Sequence, residues 1–450
     1  MLLLSFEPLK CEQFCFRVYL NDKGNSGYSI EHPEDFLSQE AIDRRRKEGL
    51  PVDESDLPIA HACLDTLTAL GAHPVVTSKW FATVVVACDD SLTAKRLQQL
   101  PIIDSVKWVW KGERKPSPGG EAPRDTTRLA PGDETLKNPY GYAETQIKML
   151  TGIRLHQKGY RGKGMTVAVI DAGFMNVDRM TVFDSLRLAG TYNVVSPGES
   201  VFSDDDHGTK VLSCLAANAP GIMVGTAPEA TYWLIKSEDN RSEYPIEEDY
   251  WTSAVEFADS AGVDAISSSL GYFTFDDPSL NYHPSMLDGQ TSFISRAAGK
   301  AARKGILLFV SAGNEGDGCW SKLTFPSDAQ QILTVGSITE KKEKSSFSST
   351  GPAADMRIKP DVVALGSGCT VIDGTGNIHY ASGTSFSTPI VAGLGICLLK
   401  ALPQLNSRDI IQLIQRSASQ YERPDGQLGY GIPDFYKTFK QNRKQPAIKQ

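Results

Sequence analysis

Five short apolar runs, at residues 165–170, 231–235, 263–270, 306–312 and 332–337, alternate along the chain with stretches of helical spacing. Runs this short, rich in β-branched residues and lacking polar alternation, are strands covered on both faces. Their alternation with helices predicts an α/β fold: a mostly parallel sheet between two helical layers, a three-layer αβα sandwich. Residues 390–399 (Ile-Val-Ala-Gly-Leu-Gly-Ile-Cys-Leu-Leu) are apolar on every side and predict a core helix. Pro389 is expected in that helix's first turn, where a missing amide costs nothing. A different pattern precedes residue 112. Residues 15–20 alternate like a strand, 59–70 have helical spacing, and 75–87 hold two strand halves. A helix over 91–100 and a strand over 102–110 follow. The order β-α-β-β-α-β predicts a small ferredoxin-like α+β domain with an insertion near 21–58.

The segment between the two units is rich in Pro, Gly and charge, with Lys115-Pro116-Ser117-Pro118-Gly119-Gly120 at its centre, and reads as a linker. The expected organisation is therefore 1–11, 12–111, 112–139, 140–436 and 437–450: a signal-peptide remnant, the small domain, the linker, the large domain and a basic tail. The remnant reading rests on Met1-Leu2-Leu3-Leu4-Ser5-Phe6, which is apolar but lacks a basic start. It points to export, either secretion or the cell envelope. A length of 450 residues suits two domains, and 40% hydrophobic with 22% charged residues is ordinary globular composition. A net charge of −8 argues against nucleic acid as a partner. No stretch approaches the ~20 apolar residues of a membrane span. The eight cysteines show no metal-ligand spacing; a Cys319–Cys369 bridge is one option, and Cys214 and Cys397 are expected buried and inert.

Chemistry enters where strands end and helices begin. The run 165–170 stops at Asp171-Ala172-Gly173, placing a carboxylate at the strand's carboxyl end, where open α/β sheets build their sites. Asp206-His207-Gly208 opens a helix whose Val211, Leu212 and Leu215 share a face, and Gly208 allows close backbone approach. Gly383-Thr384-Ser385-Phe386-Ser387-Thr388-Pro389 brings Ser385 to the mouth of the core helix, near free amides and the positive end of its dipole. Singly, each has a structural explanation, an N-cap serine above all. Chain order narrows the joint reading. None of His32, His61, His73, His156, His207, His283 or His379 follows Ser385, and no G-x-S-x-G elbow is present, so the α/β-hydrolase order fails. The order His, Asp, Ser would leave Asp171 idle. No H-E-x-x-H zinc motif occurs. A fourth block, Ser311-Ala312-Gly313-Asn314, closes another buried run.

Together these four blocks resemble the subtilisin-like serine peptidases, the subtilases, over roughly residues 142–435. The resemblance implies Ser385 as nucleophile, His207 as general base and then acid, Asp171 as the group orienting the imidazole, and Asn314 as oxyanion donor. It also implies substrate binding by Ser268, Ser269, Leu270, Gly271, Ala312 and Gly313, with a pocket base near Leu323-Thr324-Phe325-Pro326. The expected function is a serine endopeptidase working through an acyl-enzyme, acting on protein or peptide substrates. A catalytically reduced binding protein on the same fold and a serine esterase or transpeptidase are the alternatives. The small domain is similar to subtilase propeptides, which implies an intramolecular inhibitor cut away within 112–139; a permanent small domain is the other reading. Two departures stand out: Ala172 replaces a hydroxyl residue, so one hydrogen bond to the carboxylate is expected to be missing, and Phe386 replaces a common methionine. No cofactor is needed for this chemistry, and a structural calcium ion stays open. Asp204-Asp205-Asp206 is expected to be a solvated loop, with basic substrates or calcium as alternatives.

Overall fold

The computed structural model describes residues 13–112 and 138–443. The expectations for 1–11, for most of 112–139 and for the end of the basic tail lie outside the described residues.

The small domain runs β1 (Gln13–Leu20), α1 (Gln39–Glu48), α2 (His61–Thr68), β2 (His73–Ser78), β3 (Thr83–Cys88), α3 (Leu92–Leu97) and β4 (Ile103–Gly112). Its four strands pair antiparallel in the order β2-β3-β1-β4, with α1 carried by the insertion. One sheet face packs on α2 and α3. The other presents Cys15, Val76, Val85, Ala87, Val109 and Trp110 to the large domain, in a core they share with it.

The large domain opens with α4 (Glu144–Lys148), α5 (Gly152–His156), β5 (Thr166–Asp171), β6 (Arg187–Asn193), α6 (His207–Ala216) and a small hairpin, β7 (Asn218–Ala219) with β8 (Met223–Val224). There follow β9 (Thr231–Lys236), α7 (Ile246–Ser260), β10 (Ala265–Ser268), α8 (Phe293–Arg303), β11 (Leu307–Ser311), β12 (Leu333–Ile338) and β13 (Val362–Leu365). A second hairpin, β14 (Cys369–Ile372) with β15 (Ile378–Ala381), leads into α9 (Thr384–Ala401), α10 (Ser407–Ser417) and α11 (Phe435–Asn442). Seven strands form one sheet in the order β13-β12-β11-β10-β5-β9-β6, and each pairing within it is parallel. Helices α6 and α9 cover one face; α7 and α8 cover the other. Register then gathers the site. Ser268 of β10 stands opposite Ile170 of β5 and Val310 of β11, so the residues that follow all three emerge at one edge.

Three local expectations change. Helix α9 begins at Thr384, so Pro389 lies inside it rather than in the first turn. The basic tail starts as a helix: Asp434 caps α11 through the Lys437 amide, and Phe435 and Phe439, four residues apart, bury one face. A Cys319–Cys369 bridge is ruled out by position, since Cys319 is exposed while Cys369 is buried against Cys214. Cys214 and Cys397 are buried, as expected. Helix α9 also has the length and apolar composition to cross a membrane, but 94% of it is buried, which makes it the core helix of this domain.

Candidate active site

Asp171 ends β5 with its carboxylate fully buried. Its Oδ1 accepts from the Ala172 amide at 2.9 Å and pairs with His207 Nδ1 at 2.6 Å. Among the described residues its Oδ2 has no hydrogen-bond partner, the gap expected from an alanine at 172. His207 is the first residue of α6, anchored by its amide to Asp205 Oδ1 at 2.6 Å. This approach needs Gly208: a Cβ there would stand 2.3 Å from the Gly173 carbonyl and 2.9 Å from Asp171 Cβ. Burial pulls the His207 pKa down, but the Asp171 charge and hydrogen bond, helped by Asp205, outweigh it and hold the imidazole above its ordinary value. The Phe386 ring packs at 5.9 Å from the imidazole.

Ser385 is the second residue of α9. Because Pro389 has no N–H, the Ser385 carbonyl lacks its helical donor, and Ser269 Oγ supplies one at 2.9 Å. In return Ser385 Oγ makes a long contact, 3.4 Å, to the Ser269 carbonyl, and is not hydrogen-bonded to His207 in this state. Both side chains line one cleft of about 400 Å³. Catalytic hydrogen bonds are often long or misaligned before substrate binds. Asn314 Oδ1 accepts from the Thr384 amide at 2.9 Å and hydroxyl at 3.0 Å, which fixes the amide's orientation and leaves its Nδ2 donors without a protein partner among the described residues.

Ser269, Leu270 and Gly271 form one wall of the cleft, Ser311, Gly313, Asn314 and Glu315 the other, and Thr324 lies between. A Cβ on Gly271 would meet Thr324 Oγ1 at 2.2 Å, and one on Gly313 would meet Thr324 Cγ2 at 2.7 Å, so the floor exists only because both walls lack side chains. Ser268 and Ala312 do not line the cleft. The Ser268 hydroxyl is turned into the core, where Trp251 Nε1 donates to it at 2.9 Å. Ala312 is fully buried, its amide on the Val335 carbonyl and its carbonyl on the Thr324 amide.

Several lining groups escaped sequence reasoning: Asp205, Glu238, Asn240 and Glu315. Tyr272 donates its hydroxyl to Glu238, and burial together with Glu243 and Asp171 raises the Glu238 carboxyl well above the usual range. The stretch Asp204-Asp205-Asp206 is not a solvated loop. Asp204 pairs with Lys236, Asp205 Oδ2 accepts from Asn240, and Asp206 pairs with Lys210 at 2.7 Å while accepting from the Gly374 amide. Among the described residues no group of three or more His, Cys, Asp or Glu is placed to hold a metal ion.

Comparison with known proteins places both domains in known families. Residues 15–121 match the peptidase S8 propeptide domain of Bacteroidota, and residues 162–431 match the subtilase family. The chain is similar to the minor extracellular protease Epr of Bacillus subtilis (strain 168), 26% identical over 79% of this chain and 50% of Epr. It is similar to subtilisin E of the same organism at 28% identity, over 62% of this chain and 66% of that one. The chain thus spans about half to two thirds of the length of these relatives. Among solved structures, MycP1 from Mycobacterium smegmatis shares the fold at a TM-score of 0.52 and 22% identity, covering 67% of this chain and 87% of that one. The protease domain of PatA, solved as a point mutant, shares it at 0.52 and 21%, covering 64% and 99%. With a buried aspartate set against a histidine that shares one cleft with a serine, and with residues 162–431 matched by the family model, this chain belongs to the subtilase family of serine peptidases.

Proposed function

We propose that this chain is a serine endopeptidase that forms an acyl-enzyme on Ser385 and is made as a self-processed zymogen. The observation that carries the reading is the 2.6 Å Asp171–His207 pair opening onto the cleft that holds Ser385 and Asn314, whose Nδ2 has no partner among the described residues. A serine hydroxyl needs a base as it attacks. His207 takes that proton through the nitrogen not bonded to Asp171, and returns it to the departing amine. Asp171 fixes the tautomer and compensates the transient charge. The tetrahedral oxyanion forms beside Asn314 Nδ2 and the Ser385 amide at the α9 N-terminus. Water then repeats the sequence on the ester.

Peptide selection has support in the backbone. Between β10 and the Tyr272–Phe325 bridge, the Leu270 and Gly271 amides have no partner among the described residues, leaving an edge for an extended peptide to join as a strand. Inhibition by the small domain has support in its exit. Trp110 Nε1 donates to Ser242 Oγ at 3.0 Å and the Trp108 ring packs 6.1 Å from Tyr244, so β4 ends beside the loop whose Glu238 and Asn240 line the cleft. The last described strand of the small domain thus ends near the cleft, and cleavage is expected within 112–139. Export is the matching location, since one similar protein is named an extracellular protease.

The deciding experiment is fluorophosphonate labelling and peptide cleavage by the wild type and Ser385→Ala side by side. Loss of both in the variant is expected; retention of both would overturn the assignment.

A further inference from the structure

Helix α6, which starts with His207, and strand β14, whose hairpin runs into the helix of Ser385, meet in the core through two sulfur atoms. Cys214 Sγ and Cys369 Sγ lie 4.0 Å apart, both fully buried. We propose that Cys214 and Cys369 form a disulfide in the mature enzyme, tying the carrier of the histidine to the hairpin that delivers the serine.

The surroundings are already suited to the oxidised form. A disulfide needs the sulfurs ~2 Å closer than they stand. Losing the thiol hydrogens orphans nothing. Cys369 Sγ donates to Gln146 Oε1 at 3.3 Å, but that oxygen also accepts from the Thr370 amide at 3.0 Å. Cys214 makes only a long contact, 3.9 Å, to the Thr370 carbonyl. Among the described residues the other cysteines offer no rival. Cys15 and Cys88 lie on neighbouring strands but belong to cores on opposite faces of their sheet. Cys63 Sγ contacts the Lys23 carbonyl at 3.6 Å, Cys397 Sγ contacts the Thr226 carbonyl at 3.4 Å, and Cys319 is exposed. The bridge would close 155 positions of chain, and long loops are where a cross-link restricts the unfolded ensemble most.

Burial pushes the Cys369 thiol far up, and both cysteines are closed off from an external oxidant once the core has formed. The bond must form while the chain folds. One cysteine thiolate attacks an external disulfide, such as oxidised glutathione, and releases one thiolate. The second cysteine then attacks the mixed disulfide and releases the other. Two protein thiols are oxidised to one disulfide, and one external disulfide is reduced to two thiols.

In the cell this requires an oxidising compartment, and there the inference rests on the export reading above. The test does not. The full chain carrying Ser385→Ala, which prevents self-digestion, is refolded in glutathione buffer, denatured, alkylated, reduced and alkylated again with a second label. Cys214 and Cys369 are expected to take the second label, and the unreduced digest to contain their two peptides joined. Reductant is expected to lower the melting temperature of this protein by at least about 5 °C and to leave a Cys214→Ser version unmoved. First label on both cysteines, or linkage to a different partner, would overturn the proposal. A bridge formed on refolding but missing from protein isolated out of cells would count against export and leave the pairing standing.

Discussion

Ser269 and Ser385 exchange contacts because of a proline four residues downstream. Pro389 frees the Ser385 carbonyl, and Ser269 Oγ is its donor in a buried setting. Leaving a buried acceptor unsatisfied costs ~1–3 kcal/mol. Ser269→Ala is therefore expected to lower kcat by roughly 10-fold with KM little changed, because the loss falls on the turn that aims the nucleophile. Ser269→Thr should restore most of it. An unchanged kcat in the alanine variant would remove Ser269 from this role. A second residue-scale expectation concerns pH. His207 must be neutral to accept a proton, and its raised pKa means activity climbs as pH rises through that value. Asp205 helps to raise it, so Asp205→Asn, which keeps an acceptor for the His207 amide, should move the acid limb of kcat/KM to lower pH. A limb that stays put would show that Asp205 acts only on the backbone. Asn314→Ala is expected to reduce kcat by about 10²–10³, the loss seen when subtilisin's own oxyanion donor is removed. Asp171, His207, Asn314 and Ser385 were legible in the sequence because each sits at a strand end or helix start announced by its own neighbours. Glu238 was not, because its link to the site runs through a distant segment, the Tyr272 hydroxyl that donates to it.

At the scale of elements, helix α7 holds the two domains together. Arg17 of β1 pairs with Asp249 at 2.6 Å beneath the Phe293 ring, Arg45 of α1 pairs with Asp259 at 2.5 Å and Asp56 at 2.7 Å, and Glu256 receives Ser78 and the amides of Lys79 and Trp80. Arg17 and Arg45 are among the largest fully buried side chains, and removing Arg17 strands the Asp249 carboxylate, whereas Asp259 keeps Arg44 and Asp56 keeps Lys304 when Arg45 is lost. Breaking one partner of such a pair costs ~3–5 kcal/mol. Arg17→Ala in the separated small domain should weaken its inhibition of the mature enzyme by about 10²–10³-fold. An inhibition constant within about threefold of wild type would mean that the contact does not govern docking. The insertion that carries Arg45 shows no fold signal beyond its charges, and its purpose is visible only against α7. Two strands of the main sheet were likewise illegible. β6 is an exposed edge that mixes polar and apolar residues, and β13 is four residues long, too short to stand out as an apolar run. The buried central strands announced themselves; the edges had no reason to.

For the whole molecule, the small domain is fixed on the α7 and α8 face while its last strand packs beside the loop that carries the lining residues Glu238 and Asn240, and the cut proposed within 112–139 falls in the same chain as the nucleophile. A cut made by a molecule on itself should be first order, with a rate constant unchanged when the protein is diluted about a hundredfold, whereas cutting between molecules slows in proportion to dilution. Ser385→Ala should persist as a single chain under the same conditions. Wild type should instead yield two fragments that co-elute, because a single cut in 112–139 breaks none of the buried pairs on α7. The measurement is a quenched time course at two concentrations, followed by N-terminal sequencing of the larger fragment. A rate that scales with concentration, or a new N-terminus far outside 112–139, would mean that the geometry at the end of β4 does not direct the linker into its own active site.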